Sequence, residues 1–203
     1  MPKNAPIDRD WHSILTIGSI PYTCGWCGNL VAPDKGWHLR NESEGGRPLI
    51  QLCSFCNKPT LWNLDGLRYP DPRSEDDVDH LPKEVQALYD EARDCISVNA
   101  HTAVVLVCRT IISHVAVMNG AKKKDTFNHR IEYLQENNYL PKGAEAWVHV
   151  IREKGGDAAH DLEITTAPDA LHVIEFTGML LKVVIEYPEA AKLTGGTEEK
   201  GKS

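Results

Sequence analysis

Four of the six cysteines stand in two pairs of one spacing, Cys24-Gly-Trp-Cys27 and Cys53-Ser-Phe-Cys56, with 25 residues between the pairs. Each pair can set two thiolates on one side of a tight turn. Two such turns brought together make a tetrahedral four-sulfur site suited to zinc. Gly28 and Asn57 follow the pairs directly. Both residue types accept the positive φ that a knuckle needs just after its second cysteine. One zinc per chain is therefore expected at Cys24, Cys27, Cys53 and Cys56. Four protein ligands leave no open position for water or substrate, so the expected role is structural rather than catalytic.

Two further places carry polar groups that packing alone does not ask for. Arg109 lies inside the apolar run Val107-Cys-Arg-Thr-Ile-Ile-Ser-His114. A guanidinium cannot lose its charge, so a buried one needs carboxylates or carbonyls around it. The second place is Arg152-Glu-Lys-Gly-Gly-Asp-Ala-Ala-His160, where two glycines break a helix. Such a break lets another element approach closely and leaves carbonyls for a partner. Arg109, Arg152 and His160 are expected to meet in one polar cluster.

The elements that must position these residues fall into two blocks. Residues 1–73 hold too few large apolar side chains to fold on a core alone, so metal binding and folding should be coupled. Segments 48–52 and 60–64 read as strands entering and leaving the second knuckle, which makes a zinc ribbon. Trp26, Trp37, Phe55 and Trp62 are expected to shield the sulfurs. Residues 74–80, Ser-Glu-Asp-Asp-Val-Asp-His, read as an acidic linker.

From residue 81 the apolar spacing is helical. Helices are predicted from 81 to about 96, at 100–119, 126–137 and 143–154, and at 168–187, the last closed by Pro188. The second is apolar around most of its circumference and should be the most buried. Cys95 and Cys108 fall in these helices as small core residues. Residues 191–203 read as a disordered tail. The expected fold class is mainly α: a small β zinc ribbon over 1–73, then a four-to-five-helix bundle over 81–190.

The net charge is −7. Residues 1–73 carry eight Lys/Arg against seven Asp/Glu, the linker adds four acids, and the rest carries 14 basic and 18 acidic side chains. That balance argues against a broadly cationic nucleic-acid binder. No apolar run reaches the ~18 residues of a membrane span, and MPKNAPIDRDWH lacks the basic-then-apolar form of a secretory signal. A cytoplasmic protein without membrane attachment is expected, where thiols stay reduced and available to zinc.

The string Ala103-Val-Val-Leu-Val-Cys-Arg109, followed by Ile151-Arg152-x-x-Gly155-x-x-Ala158-Ala159-His160, resembles a bacterial helical domain of unknown function. That domain is found alone, behind zinc ribbons and attached to type I restriction endonuclease subunits, and is grouped with the HEPN superfamily of helical bundles. The resemblance covers about 81–188. It implies association with nucleic-acid metabolism or anti-phage defence, and dimerisation through the helices. Domains of this type usually carry an acid where this chain has Ser113, and an asparagine where it has Gly156.

Two functions follow as expectations. In the first, the ribbon recognises a protein, RNA or DNA partner while the bundle forms a homodimer, with no enzyme activity. The alternative is a metal-independent ribonuclease at the dimer groove. HEPN ribonucleases place arginine and histidine four to six residues apart, the histidine taking the 2′-hydroxyl proton and the arginine stabilising charge on the phosphate. Arg109-(x4)-His114 meets that spacing, although five residues of helix turn about 140° and point the pair to different faces. Arg109, Arg152 and His160 are the candidate catalytic residues.

Overall fold

A computed structural model describes residues 10–38, 49–74, 76–140, 143–144, 147–149, 151–152 and 165–195. The chain divides into two compact units, Met1–Arg73 and Ser74–Ser203.

The first unit is built from seven short strands: β1 Leu15–Thr16, β2 Tyr22–Thr23, β3 Leu30–Val31, β4 Lys35–His38, β5 Leu49–Leu52, β6 Pro59–Trp62 and β7 Arg68–Tyr69. Five of them make an antiparallel sheet in the order β1-β4-β5-β6-β7, and β2 pairs with β3. The register sets Trp37 opposite Ile50, and Ile50 opposite Leu61. Gly36 faces Gln51 across β4 and β5, and a Cβ there would lie 1.9 Å from the carbonyl oxygen of Ile50. Only glycine lets the two backbones come this close. Gly36→Ala is expected to cost roughly 1–3 kcal/mol, as overpacking does. A thermal melt followed by tryptophan fluorescence would report it, and an unchanged midpoint would contradict the close approach.

The second unit is helical: α1 Lys83–Ser97, α2 His101–Met118, α3 Phe127–Glu136 and α4 Ala167–Leu181. Thr126 caps α3 by accepting from the His129 N–H, and Thr166 with Asp169 forms a reciprocal capping box on α4. Residues 147–149 and 151–152 are also helical, and the rest of the expected 143–154 helix lies outside the described residues. The core gathers Tyr89, Ile111, Ile112, Leu134, Phe176 and Leu180, all fully buried. By length and composition α2 could cross a membrane, but it packs on α1, α3 and α4 as a core helix does. Cys108 is fully buried on it, and burial pushes its thiol up to about 12, far from any reactive thiolate.

Two expectations are corrected here. A mainly α chain does not hold: a seven-strand antiparallel unit precedes the helices, so the protein is mixed α and β. Strands of two residues show no period, so the sequence pattern under-reports them. Nor does Pro188 close the last helix. A π-turn, Lys182–Glu186, follows α4, and α5 runs from Tyr187 to Gly195. The Tyr187 N–H bonds to the Lys182 carbonyl, one residue wider than an α turn. Proline lacks the donor and crowds the carbonyl four residues back; the wider turn just before it relieves both demands. The helix thus enters the segment read as a tail, whose residues 196–203 lie outside the described ones.

The acidic segment packs on α1. Val78 is buried in the helical core, and Arg93, only 6% exposed, ion-pairs with Asp77 and donates to the Ser74 carbonyl at 3.3 Å. The Arg93 guanidinium also lies over the Tyr89 ring at 5.6 Å. The Tyr89 hydroxyl donates to the carbonyl of Asp76 at 3.4 Å.

Candidate functional site

The four paired cysteines converge. Each offers one sulfur, and the sulfurs all lie within 4.8 Å of one another. Cys24 and Cys56 are 3.8 Å apart at Sγ, as are Cys27 and Cys53. A tetrahedron with metal–sulfur bonds of about 2.3 Å has edges of about 3.8 Å, so these two edges suit a shared metal. Both are also far beyond an S–S bond.

The local backbone explains the convergence. In each knuckle the residue after the second cysteine turns left-handed, Gly28 at φ 74° and Asn57 at φ 57°. Its N–H then bonds back to the carbonyl of the first cysteine, Gly28 to Cys24 at 2.8 Å and Asn57 to Cys53 at 2.9 Å. The Cys56 N–H points at the Cys53 sulfur, 3.5 Å away. Such donors lower the charge that a thiolate must carry alone.

Burial pushes the Cys24 thiol up to about 11 and Cys56 further still. Burial acts the same way on Cys27, but bonds from the Asn29 backbone and side chain outweigh it and bring that thiol down to about 7. Buried sulfurs this close cannot all ionise without a cation among them, and a divalent ion reverses that balance. The donor set and the spacing fit a soft or borderline metal.

Of the four aromatic residues expected to shield the sulfurs, Trp62 packs against the cluster. Trp37 meets Trp11 edge-on instead, while Trp26 and Phe55 are exposed at the knuckle tips. Tyr22 supplies the missing wall. It is buried beside the cysteines and edge-on to Trp62 at 5.6 Å. Its hydroxyl donates to the Thr60 hydroxyl, and burial pushes it up to about 12. Arg68 covers both rings, 5.8 Å from Tyr22 and 5.4 Å from Trp62. Nothing in the spacing of Tyr22 or Arg68 signals either role, because both contacts cross between strands.

In the helical unit two members of the expected cluster, Arg109 and Arg152, lie among the described residues. Arg109 is half-buried and stacks on Phe127, its guanidinium 4.7 Å from the ring centre. Arg152 reaches along α3 to Glu132 at 3.3 Å and to Gln135 at 3.4 Å. His160, with Gly155, Gly156 and Asp157, lies outside the described residues. The buried arginine that packing must satisfy is Arg93 rather than Arg109.

Arg109 and His114 do share a setting. A groove of about 770 Å³ runs between α2 and the start of α3, and both residues line it. On α2 the lining residues are Leu106, Arg109, Thr110, Ser113, His114 and Val117. They follow i, i+3, i+4, i+7, i+8 and i+11, a single helical stripe. The two side chains therefore sit on opposite borders of one stripe, which reconciles the 140° between them with a common groove. Leu106 in this stripe is 55% exposed, so α2 leaves part of its apolar circumference open.

A protein-family model described as a domain of unknown function (DUF4145) matches residues 90–198, more than half of the chain. No curated protein and no solved structure matches it.

Proposed function

The chain belongs to the DUF4145 family, and on that premise we propose that it is a two-part, zinc-stabilised binding module rather than an enzyme. Residues 1–73 hold one structural zinc at Cys24, Cys27, Cys53 and Cys56 and recognise a protein or nucleic-acid partner. The helical unit pairs with a second copy and carries the ribbon, in the reducing cytoplasm. The observation that carries this reading is the closed set of four sulfurs, all within 4.8 Å. Such a set leaves a bound metal no site for substrate.

Support for a recognition surface comes from the knuckle tips. Trp26 and Phe55 are exposed there, Phe55 by 63%, and the Lys58 ammonium lies 5.3 Å over the Trp26 ring. Exposed aromatic rings beside a cation are what protein and nucleic-acid partners use. The resemblance of the Arg109 to His160 string to HEPN-like domains attached to restriction subunits supports a role in restriction or anti-phage defence. It also supports pairing through the helices. A homodimer burying at least about 1,200 Å² in total is expected, and light scattering at tens of micromolar should give twice the chain mass. A clean monomer mass would refute the pairing.

A second reading is favoured by one observation, the presence of Arg109 and His114 on a single groove. In it the helical unit is a metal-independent ribonuclease, His114 taking the ribose proton and Arg109 stabilising the phosphate. Incubating the pure chain with mixed RNA in EDTA separates the two. The module reading expects intact RNA. Cleavage that His114→Ala abolishes would replace it with the enzyme.

A further inference from the structure

A hollow of about 390 Å³ in the first unit has no cysteine among its described lining residues. The strand register builds part of its wall. His38 stands opposite Leu49, and Leu49 opposite Trp62, one row across β4, β5 and β6. Residues directly opposite in antiparallel strands share a face of the sheet. Ile17 and Ile20, from the segment between β1 and β2, also line the hollow, as does Leu64 in the turn after β6. Ile20 is 44% exposed and Leu64 63%, so the rim is apolar and open to solvent.

The chemistry of the lining is narrow. Among its described residues there is no Lys, Arg, Asp or Glu, and His38 alone can carry a charge. Two polar side chains there are already engaged. Ser19 Oγ donates to the Ala32 carbonyl at 2.9 Å, and Asn63 Oδ1 accepts the Asp65 and Leu67 N–H groups at 3.0 and 2.8 Å. Trp62 is different. It packs against the cysteine cluster and also lines the hollow. Its indole N–H is buried and has no hydrogen-bond partner in the structure. A buried donor left unmatched costs free energy until an acceptor reaches it.

These properties select among occupants. A phosphate or a nucleic-acid strand needs fixed cations, which this lining lacks. Apolar walls with few polar groups are the usual build of small-molecule clefts, whose volumes run from about 300 to 1,000 Å³. This hollow lies toward the lower end of that range.

We infer that it binds a small uncharged molecule with an apolar body and one carbonyl-type acceptor. The body lies among Ile17, Ile20, Leu49 and Leu64, and the acceptor takes the Trp62 N–H. Binding there needs the folded ribbon, but neither a partner on the knuckle tips nor a second copy of the chain. It adds a ligand to the module reading rather than following from it.

Nitrogen-15 correlation spectra of the full chain, purified without chelator and titrated with acetophenone, ethylbenzene and benzoate, provide the test. Acetophenone should bind with a Kd of about 1 mM, as so few atoms allow, and should shift the amides of Ile20, Leu49 and Leu64. The Trp62 indole peak should move downfield with acetophenone and not with ethylbenzene. Trp62→Phe should weaken acetophenone about tenfold more than ethylbenzene, the loss of a hydrogen bond to a buried donor. Leu64→Asp, on the exposed rim, should weaken both several-fold, and it keeps the test available if Trp62→Phe disturbs the cysteine cluster. No amide shift at tens of millimolar acetophenone, or an unmoved Trp62 indole peak, would overturn the proposal. Benzoate binding as tightly as acetophenone would overturn it too. A capped tripeptide with a central phenylalanine, binding about tenfold tighter at the same amides, would reassign the hollow to a protein segment. Shifts of those amides on concentrating the chain alone, with no response to acetophenone, would reassign it to a second copy.

Discussion

Replacing Cys53 by serine is expected to unfold residues 1–73 and leave the helical signal at 222 nm nearly unchanged. The reason is the composition of the core at that end of the molecule. Its buried cluster consists of Tyr22, Cys24, Val31, Cys53 and Cys56, so three of five members are thiols. Without a metal those sulfurs are held only by van der Waals contact and weak hydrogen bonds to sulfur. Structural zinc in small domains contributes an apparent 10–16 kcal/mol, roughly the whole stability of such a unit. Protein purified without chelator should carry one zinc per chain by elemental analysis. The sign with pH follows from the sulfurs. The ordinary state of Cys24, held near 11 by burial, is the protonated thiol at neutral pH. Metal binding must expel that proton, so affinity falls as pH falls. Absence of zinc, or a Cys53→Ser chain with an unaltered near-UV spectrum, would end this reading of the unit.

The other large effect lies in the helices. Phe176→Ala is expected to cost about 3–5 kcal/mol, the range for removing a large ring from a closed core. Phe176 is fully buried on α4 and meets Trp147 edge-on, with ring centres 6.0 Å apart. The vacated volume borders α2, which is pinned on three sides and cannot collapse into it. Leu171 on the same helix is 38% exposed, and Leu171→Ala should change stability by less than about 1 kcal/mol. Urea denaturation of the two variants side by side would expose an error. Equal and small losses would mean that the ring is not part of the core.

The parts of this architecture that sequence reading reached are those written in local chemistry. A CxxC pair and the Gly28 or Asn57 after it define a knuckle within five residues, and the knuckles came together as their spacing predicts. Strands 49–52 and 59–62 and the first three helices were legible from alternation and from the 3.6-residue period. What escaped was set by distant contacts. Tyr22 and Arg68 wall the cysteine cluster across strands, with no pattern to announce them. Arg109 drew attention because it interrupts an apolar run, yet its long side chain escapes sideways onto Phe127. Arg93 drew none, because α1 is amphipathic and an arginine there reads as solvent-facing. Pro188 misled for a related reason: the rule that proline ends a helix assumes an α turn before it, and a π-turn precedes it here.

The contacts of Arg93 fix where this protein can be cut. Helical periodicity begins near Leu81, which invites a truncated helical fragment starting there. Such a fragment would lose the Ser74 carbonyl, Asp77 and the apolar plug Val78. It would leave a guanidinium facing a vacated hollow over Tyr89. The autonomous segment begins at Ser74, so the acidic stretch travels with the helices as their first structural element, and a protease site or fusion joint belongs upstream of it.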